Sequence, residues 1–191
     1  HEIALQSIVL PYSWYNISIS QNNNTFSYIN GNSEMRIITF PNGSYEYSDL
    51  LGFVQLKMIE NLDYLIDSDN NPVFFLDFQP NPVYSLISFT LTTLPTSLPS
   101  GWILPVGSTM ALNGNTFQII IPNSDIKYIF GLNPQTLPIS PSLTNIYQNS
   151  EFIPNISNIS SVLLCSNLVN SSYNNPNTSL FDFVPNVNIG N

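Results

Sequence analysis

Residues 35–60, MRIITFPNGSYEYSDLLGFVQLKMIE, decide the fold expected for this chain. Residues 35–40 divide into two alternating sets, and their β-branched and aromatic types suit the two faces of a pleated strand. The pair Asn42-Gly43 follows directly and is the strongest short signal for a hairpin turn, because both residues tolerate positive φ. The first half of the segment therefore predicts a strand, a tight turn and a short returning strand.

The second half of the segment predicts an amphipathic helix at about residues 48–61, the one convincing helix in a chain that otherwise looks all-β. Ser48 is a good N-cap, because its hydroxyl can accept a hydrogen bond from an unpaired backbone N–H. Asp49 and Lys57 suit the positive and negative ends of the helix dipole. Apolar residues recur at helical spacing and would form one buried face: Leu51, Val54, Met58 and Leu62.

The rest of the chain is divided by turn residues, including 15 prolines, into short apolar segments. Long stretches at residues 95–110 and 133–158 are predicted to be loops, because Pro and short polar residues interrupt any strand pattern. Many short strands predict an all-β domain over residues 1–191, either a sandwich or a jelly roll, and one inserted helix fits an elaborated single jelly-roll β-sandwich. The further predicted strands are residues 3–10, 14–19, 26–29, 73–78, 84–94, 117–121, 126–130, 160–169 and 180–184.

Charge is scarce in this chain, at 8% of residues, far below the usual quarter. Three basic against 12 acidic residues give a formal net charge of −9. Nucleic-acid binding draws most of its affinity from Lys and Arg on phosphates, so direct nucleic-acid binding is not expected. An anionic membrane surface is disfavoured for the same reason, and no apolar run approaches the roughly 20 residues that a membrane span requires.

Residues for catalysis and cofactor binding are equally scarce. The single histidine, His1, lies at a chain end, where side chains are rarely held rigidly enough for a Ser-His-Asp or Cys-His mechanism. The single cysteine, Cys165, lies in an apolar run and is predicted to be a buried structural thiol. Clusters of Cys and His that could bind zinc are absent from the sequence. We expect neither catalytic residues nor a cofactor.

One turn carries a weak candidate for a calcium site. Asp67, Asp69 and Asn71 have the spacing of the first oxygen ligands of a calcium loop. Such a loop needs Gly at its sixth position and an acid at its twelfth, but the chain has Pro72 and Phe78 there. The pattern favours a polar hairpin turn.

Aromatic residues in the predicted loops are candidates for an interface. Trp102 lies between Gly101 and Pro105, where a role in an interface and simple local packing are equally compatible with the sequence. Tyr147 lies in the second long loop. Both are therefore named as candidate contact residues.

Three stretches of the chain resemble the penton proteins, or single jelly-roll minor capsid proteins, of virophages and polinton-like viruses. The family typically has a strand, then I-P-x-G-x-Y, then an acidic residue and an amphipathic helix. This chain has TFPNGSY at residues 39–45 and SDLL at residues 48–51. Two looser similarities are the opening strand and turn at residues 3–17 and the late strand SVLLCSNLVN at residues 161–170.

The resemblance implies a structural protein of the virion that occupies the vertices of an icosahedral capsid. It implies a homopentamer, with the double jelly-roll major capsid protein as its partner around each vertex. The family usually continues with one or two further strands after the stretch that matches residues 181–184, so a C-terminal continuation is expected.

Two other functions are compatible with the sequence. The first is a β-sandwich module for carbohydrate binding or adhesion, which would use Trp102 and loop tyrosines. The second is a glycoside-active enzyme that uses a pair of carboxylates. Sequence spacing cannot show that two carboxylates face each other, and the candidates are Asp63, Asp67, Asp69 and Asp77.

Overall fold

The computed structural model describes residues 14–156 and the backbone of residues 162–165 and 179–183. The chain divides into two compact units: one is Tyr15–Ile156, and the other is His1–Trp14 with Ser157–Asn191. In the second unit, two described strands pair antiparallel, with an irregularity in their register between Leu164 and Cys165. The predicted strand at residues 3–10 and the side chain of Cys165 lie outside what the structure describes. The prediction of one domain over residues 1–191 stays a prediction.

The described chain is mostly antiparallel β-sheet with few helices, consistent with the predicted all-β sandwich. Its helices are a 3-10 helix at Ile19–Gln21, α1 at Tyr47–Glu60 and α2 at Ile126–Phe130. Its strands, in chain order, are β1 (Thr25–Ile29), β2 (Met35–Thr39), β3 (Leu65–Ile66), β4 (Pro72–Val73), β5 (Leu76–Asn81), β6 (Leu86–Leu91), β7 (Gln118–Ile121), β8 (Gln135–Leu137), β9 (Ile146–Asn149), β10 (Val162–Cys165) and β11 (Ser179–Phe183).

Two larger sheets of the Tyr15–Ile156 unit share one core. One sheet has the strand order β2-β1-β7-β8 and the other the order β5-β6-β9. Phe26 of β1 lies 6.2 Å from Phe78 of β5, measured between ring centroids, and both rings contact Phe130 of α2, at 5.3 and 5.1 Å. Tilted and edge-on ring pairs of this kind contribute beyond the area that they bury. The aromatic contacts therefore join the inner faces of the two sheets.

Helix α1 confirms the predicted helical insertion, but its cap differs. The helix begins at Tyr47 and its N-cap is Glu46, whose backbone N–H donates to the carboxylate of Asp49 at 2.8 Å. Ser48 is exposed within the first turn, so its prediction as the N-cap is wrong. The buried face consists of Tyr47, Leu50, Val54 and Met58. Val54 and Met58 of the predicted stripe are confirmed, whereas Leu51 is only half-buried and Leu62 lies beyond the end of the helix.

The predicted hairpin at Asn42-Gly43 is wrong. Gly43 forms an isolated antiparallel bridge with Ile17, and no strand lies between it and α1. The ring of Tyr45 folds back over this glycine, and a Cβ at Gly43 would lie 2.8 Å from that ring. The hydroxyl of Tyr45 donates to the carbonyl of Pro41 at 2.9 Å. The residues after β2 therefore close a compact loop. Through Gly43 this loop is hydrogen-bonded to the segment around Ile17.

Two other strand predictions and one loop prediction need correction. Residues 14–19 form only the bridge at Ile17 and then enter the 3-10 helix. Residues 126–130 form α2, because Ile126, Ile129 and Phe130 are buried at helical spacing and Gly131 ends the helix with φ of 65°. The predicted loop at residues 133–158 contains the short strands β8 and β9.

Strand β5 extends further than the sequence predicts, through a segment that contains a proline. The sequence predicts a connection at residues 79–82, whereas β5 continues through Pro80, which pairs with Ile87. Strand β5 is an edge strand, and a proline is tolerated there because its missing N–H costs no ladder hydrogen bond on the outer side.

Candidate interaction surfaces

The outer face of the β5-β6-β9 sheet is polar. Strand alternation buries Leu76, Phe78, Ile87, Phe89 and Leu91 on the inner face. On the outer side of β6, Ser88 and Thr90 are half-exposed. The register places two rows across the outer face: Gln79, Ser88 and Asn149 in one, and Asp77, Thr90 and Tyr147 in the other.

Hydrogen bonds connect the three strands across this face. The amide of Asn81 donates to the hydroxyl of Ser88 at 3.1 Å, and that hydroxyl donates to Oδ1 of Asn149 at 2.7 Å. The amide of Gln79 donates to Oδ2 of Asp77 at 2.7 Å. These hydrogen bonds orient the side chains on this face.

A shallow depression of about 300 Å³ lies on the same face, lined mainly by polar residues. Its volume is at the lower end of the range for small-molecule sites. Its lining residues are Gln79, Pro80, Asn81, Pro82, Ser88 and Thr90.

Tyr147, one of the two predicted contact residues, lies beside this depression. It projects from β9 opposite Thr90, and its side chain is 72% exposed. Trp102, the other predicted contact residue, is half-buried and packs against the hydrophobic core, while its backbone N–H donates to the carbonyl of Pro99 at 3.0 Å. The structure thus favours local packing for Trp102 and leaves Tyr147 presented to solvent.

The outer face of the β2-β1-β7-β8 sheet is uncharged and partly apolar. Met35 and Ile37 of β2 are 57% and 62% exposed. The small residue Ser27 lies between Ile37 and Ile120 in one row across the sheet. The register positions of this face hold no ionisable side chain: Thr25, Ser27, Ile29, Met35, Ile37, Thr39, Gln118, Ile120 and Thr136.

In the candidate calcium turn, the carboxylate of Asp67 binds the backbone of its own turn. Oδ1 of Asp67 accepts hydrogen bonds from the backbone N–H groups of Asp69 at 2.9 Å and Asn71 at 2.8 Å. This is the Asx turn that short acidic side chains favour, and it joins β3 to β4. Among the residues that the structure describes, no group of three or more His, Cys, Asp or Glu side chains is placed to hold a metal ion.

Asp63 is at the centre of a buried polar network that the sequence did not reveal. Its carboxylate accepts from the Tyr28 hydroxyl at 2.8 Å, from the Asn30 amide at 2.9 Å and from Nε of Arg36 at 3.2 Å. Burial, reinforced by the charge of Asp63, raises the pKa of Tyr28 far above its ordinary value, so its hydroxyl remains a donor. One feature of the sequence could have indicated this network. Arg36 shares the inner face of β2 with Ile38, and a cation on that face requires an acidic partner.

The carboxylates proposed for glycoside chemistry occupy three different environments. Asp63 is paired with Arg36, and Asp67 and Asp69 belong to the β3–β4 turn. Asp77 lies on the polar outer face, with Oδ2 bound by Gln79 and with a buried Oδ1 that has no hydrogen-bond partner in the described part of the chain.

Comparisons with protein-family models, curated protein sequences and solved structures found no match to this chain. Within the described residues, neither α-helix combines the length and the apolar character that a membrane crossing requires. The fold and the two outer faces thus define a β-sandwich protein with one polar and one partly apolar uncharged surface.

Proposed function

We propose that this chain is a structural capsid subunit, a jelly-roll penton that assembles through its uncharged surfaces. The observation that carries the proposal is the combination of scarce charge with exposed apolar side chains on one sheet face. Met35 and Ile37 are exposed beside the half-buried Ile29 and Ile120, and no charge interrupts them on that face. Cores of subunit interfaces are depleted in charge, and contiguous exposed apolar patches mark interaction sites.

The path of the chain between the sheets also supports the proposal. The chain passes from the β2-β1-β7-β8 sheet to the β5-β6-β9 sheet between β2 and β5, returns between β6 and β7, and crosses again between β8 and β9. Repeated crossing between two antiparallel sheets is a feature of jelly rolls and of other Greek-key sandwiches. Helix α1 is inserted after β2, as the resemblance to penton proteins implies.

A pentameric ring requires heterologous contacts that close by rotation, so one copy's apolar face would meet a different surface of the next copy. The partner around the ring would be the double jelly-roll major capsid protein. In this proposal the chain has no catalytic role and no cofactor.

A map of the virus particle tests the proposal directly. Five copies of this chain around each vertex are expected, and a particle without the chain would overturn the proposal.

Variants of the exposed face test the same proposal in solution. Met35→Glu with Ile37→Glu should abolish self-association and incorporation into particles while leaving the fold intact, because both side chains are already exposed. Val106→Glu is a matched control, because Val106 is 99% exposed and lies in a loop outside the strands of this face. Loss of assembly in the control alone would assign the contact to the loop and contradict the role of the sheet face.

A further inference from the structure

The polar outer face of the β5-β6-β9 sheet has unused hydrogen-bonding capacity in fixed positions. The amide nitrogen of Asn149 is unbonded within the described residues, because only its Oδ1 accepts, from Ser88. Oε1 of Gln79 is likewise unbonded there, because only its Nε2 donates, to Asp77. Thr90 adds a hydroxyl that can both donate and accept. Free donors and acceptors therefore lie in the depression, at Gln79 and Thr90, and on the neighbouring strand, at Asn149.

The side chains of this face are also preorganised. Asn81 is fixed at both ends of its amide: Nδ2 donates to Ser88 at 3.1 Å, and Oδ1 accepts from the backbone N–H of Val83 at 3.2 Å. Ser88 then fixes Asn149 at 2.7 Å. A ligand that binds such a surface orders few side chains, so less entropy is lost on binding.

Tyr147 adds an aromatic surface beside these polar groups. Its ring projects from the strand next to Thr90, and its hydroxyl accepts from the amide of Asn145 at 3.4 Å. A tyrosine presents an apolar body with a polar tip, so its ring can contact the C–H groups of a ligand whose hydroxyls reach the amides. Few ligand classes combine apolar C–H faces with a rim of closely spaced hydroxyls, and saccharides are the main one.

The charge on this face selects among saccharides. Asp77 is the only ionisable side chain at the positions 77, 79, 81, 88, 90, 147 and 149 apart from the phenol of Tyr147, and no Lys or Arg lies among them. A carboxylate without a neighbouring cation repels an acidic sugar and leaves a neutral one unaffected.

We propose that the outer face of the β5-β6-β9 sheet is a binding site for a neutral saccharide. One sugar unit contacts Tyr147 and exchanges hydrogen bonds with Thr90, and hydroxyls elsewhere on the saccharide exchange hydrogen bonds with Gln79 and Asn149. The site is separate from the uncharged face of the other sheet and does not depend on capsid assembly.

NMR titration of the full chain tests the proposal, with maltotriose, cellotriose and mannotriose as neutral probes and 3′-sialyllactose as the acidic comparison. At least one neutral probe should shift the side-chain amide signals of Gln79, Asn81 and Asn149 with weak, roughly millimolar affinity. The acidic probe should not shift them. No shift with any neutral probe, or equal binding of the acidic one, would overturn the proposal.

Two variants identify the contacts. Tyr147→Ala should weaken the binding about tenfold, the size expected for loss of an aromatic contact. Thr90→Val should also weaken it, because valine keeps the shape of the strand residue and removes only the hydroxyl. Tyr15→Ala is the matched control, because Tyr15 is an exposed tyrosine outside this sheet. Unchanged affinity in Tyr147→Ala, or an equal loss in Tyr15→Ala, would contradict the assignment.

Discussion

Asp63 is the residue whose loss should destabilise the fold most through polar contacts. Asp63→Ala would leave Arg36 without its buried partner, would leave the Tyr28 hydroxyl without its acceptor and would remove the shorter of the two hydrogen bonds of the Asn30 amide. Breaking a buried ion pair by removing one partner costs about 3–5 kcal/mol. Because the Arg36 side chain is 32% exposed, we expect the lower end, about 3 kcal/mol. Urea unfolding followed by circular dichroism measures this change.

The matched control is Glu34→Ala. Glu34 binds the same guanidinium at 2.7 Å, but its side chain is exposed. Exposed ion pairs contribute about 0–1 kcal/mol, so this variant should unfold almost like the parent. Equal destabilisation by the two variants would show that the burial of Asp63 does not determine the strength of its contacts.

Glu151, which follows β9, binds Asn133 and Gln135 at the start of β8 through its carboxylate and should titrate at low pH. Hydrogen bonds from the Gln135 side chain, and then from the Asn133 side chain, lower its pKa below the ordinary value of 4.5. A lowered pKa in the folded state means that the contact stabilises the fold above the ordinary pKa and is lost as the pH falls through the folded value. An NMR titration of this carboxyl group should therefore have its midpoint below 4.5.

Gln135→Ala tests whether the hydrogen bond from Gln135 causes the lowered pKa of Glu151. Removing the strongest donor should move the pKa of Glu151 back toward its ordinary value. A midpoint that is the same in the variant and the parent would contradict the assignment of the shift to this hydrogen bond.

Helix α1 depends on its buried face, and one substitution on that face should unfold the protein. Val54 is completely buried, so Val54→Asp would place a carboxylate without a partner among apolar side chains. We expect a loss of several kcal/mol, a large part of the roughly 5–15 kcal/mol that stabilises a domain. Thermal unfolding, monitored by the circular dichroism of the whole chain, measures this loss.

Leu56→Asp is the control on the same helix. Leu56 is 47% exposed, so the new carboxylate would remain in water. The melting temperature of this variant should stay close to that of the parent. If both variants melt alike, the face of α1 that packs against the sheets has been misassigned.

Alternation and helical spacing predicted the centres of the elements, whereas their ends depend on contacts between distant residues. The alternation in residues 35–40 predicted two faces, and the structure buries Ile38 and Phe40, which belong to the same set. The hairpin at Asn42-Gly43 failed because Gly43 pairs with Ile17, a contact that local turn propensity cannot indicate. Strand β9 was missed for the same reason, since its pairing with β6 is not encoded locally.

The candidate surfaces were only partly predictable. Tyr147 could be named as an exposed aromatic residue, but its place opposite Thr90, in one row with Asp77, follows from the pairing of β9 with β6, two strands that are far apart in sequence. Trp102 had the same local features as an interface residue, yet it packs against the core. The sequence gives the chemistry of each side chain, and the pairing of strands decides which side chains share a surface.

At the scale of the whole molecule, apolar contact and net charge oppose each other in the proposed assembly. Each copy carries a formal charge of −9, so copies repel one another in solution. The outer face of the β2-β1-β7-β8 sheet has no ionisable residue at its register positions, so repulsion is weakest where Met35 and Ile37 are exposed. Long-range repulsion between copies should therefore oppose assembly through this face. Ion pairs at the contact should not contribute to it.

This balance predicts that salt promotes self-association of the chain. Raising the ionic strength from about 0.01 M to about 0.15 M shortens the screening length from about 30 Å to about 8 Å, which weakens repulsion between copies and leaves apolar contacts in place. Sedimentation velocity at constant protein concentration should show a rising share of the larger species. The Met35→Glu, Ile37→Glu variant should stay monomeric throughout. Dissociation of the parent on addition of salt would instead show that ion pairs hold the copies together.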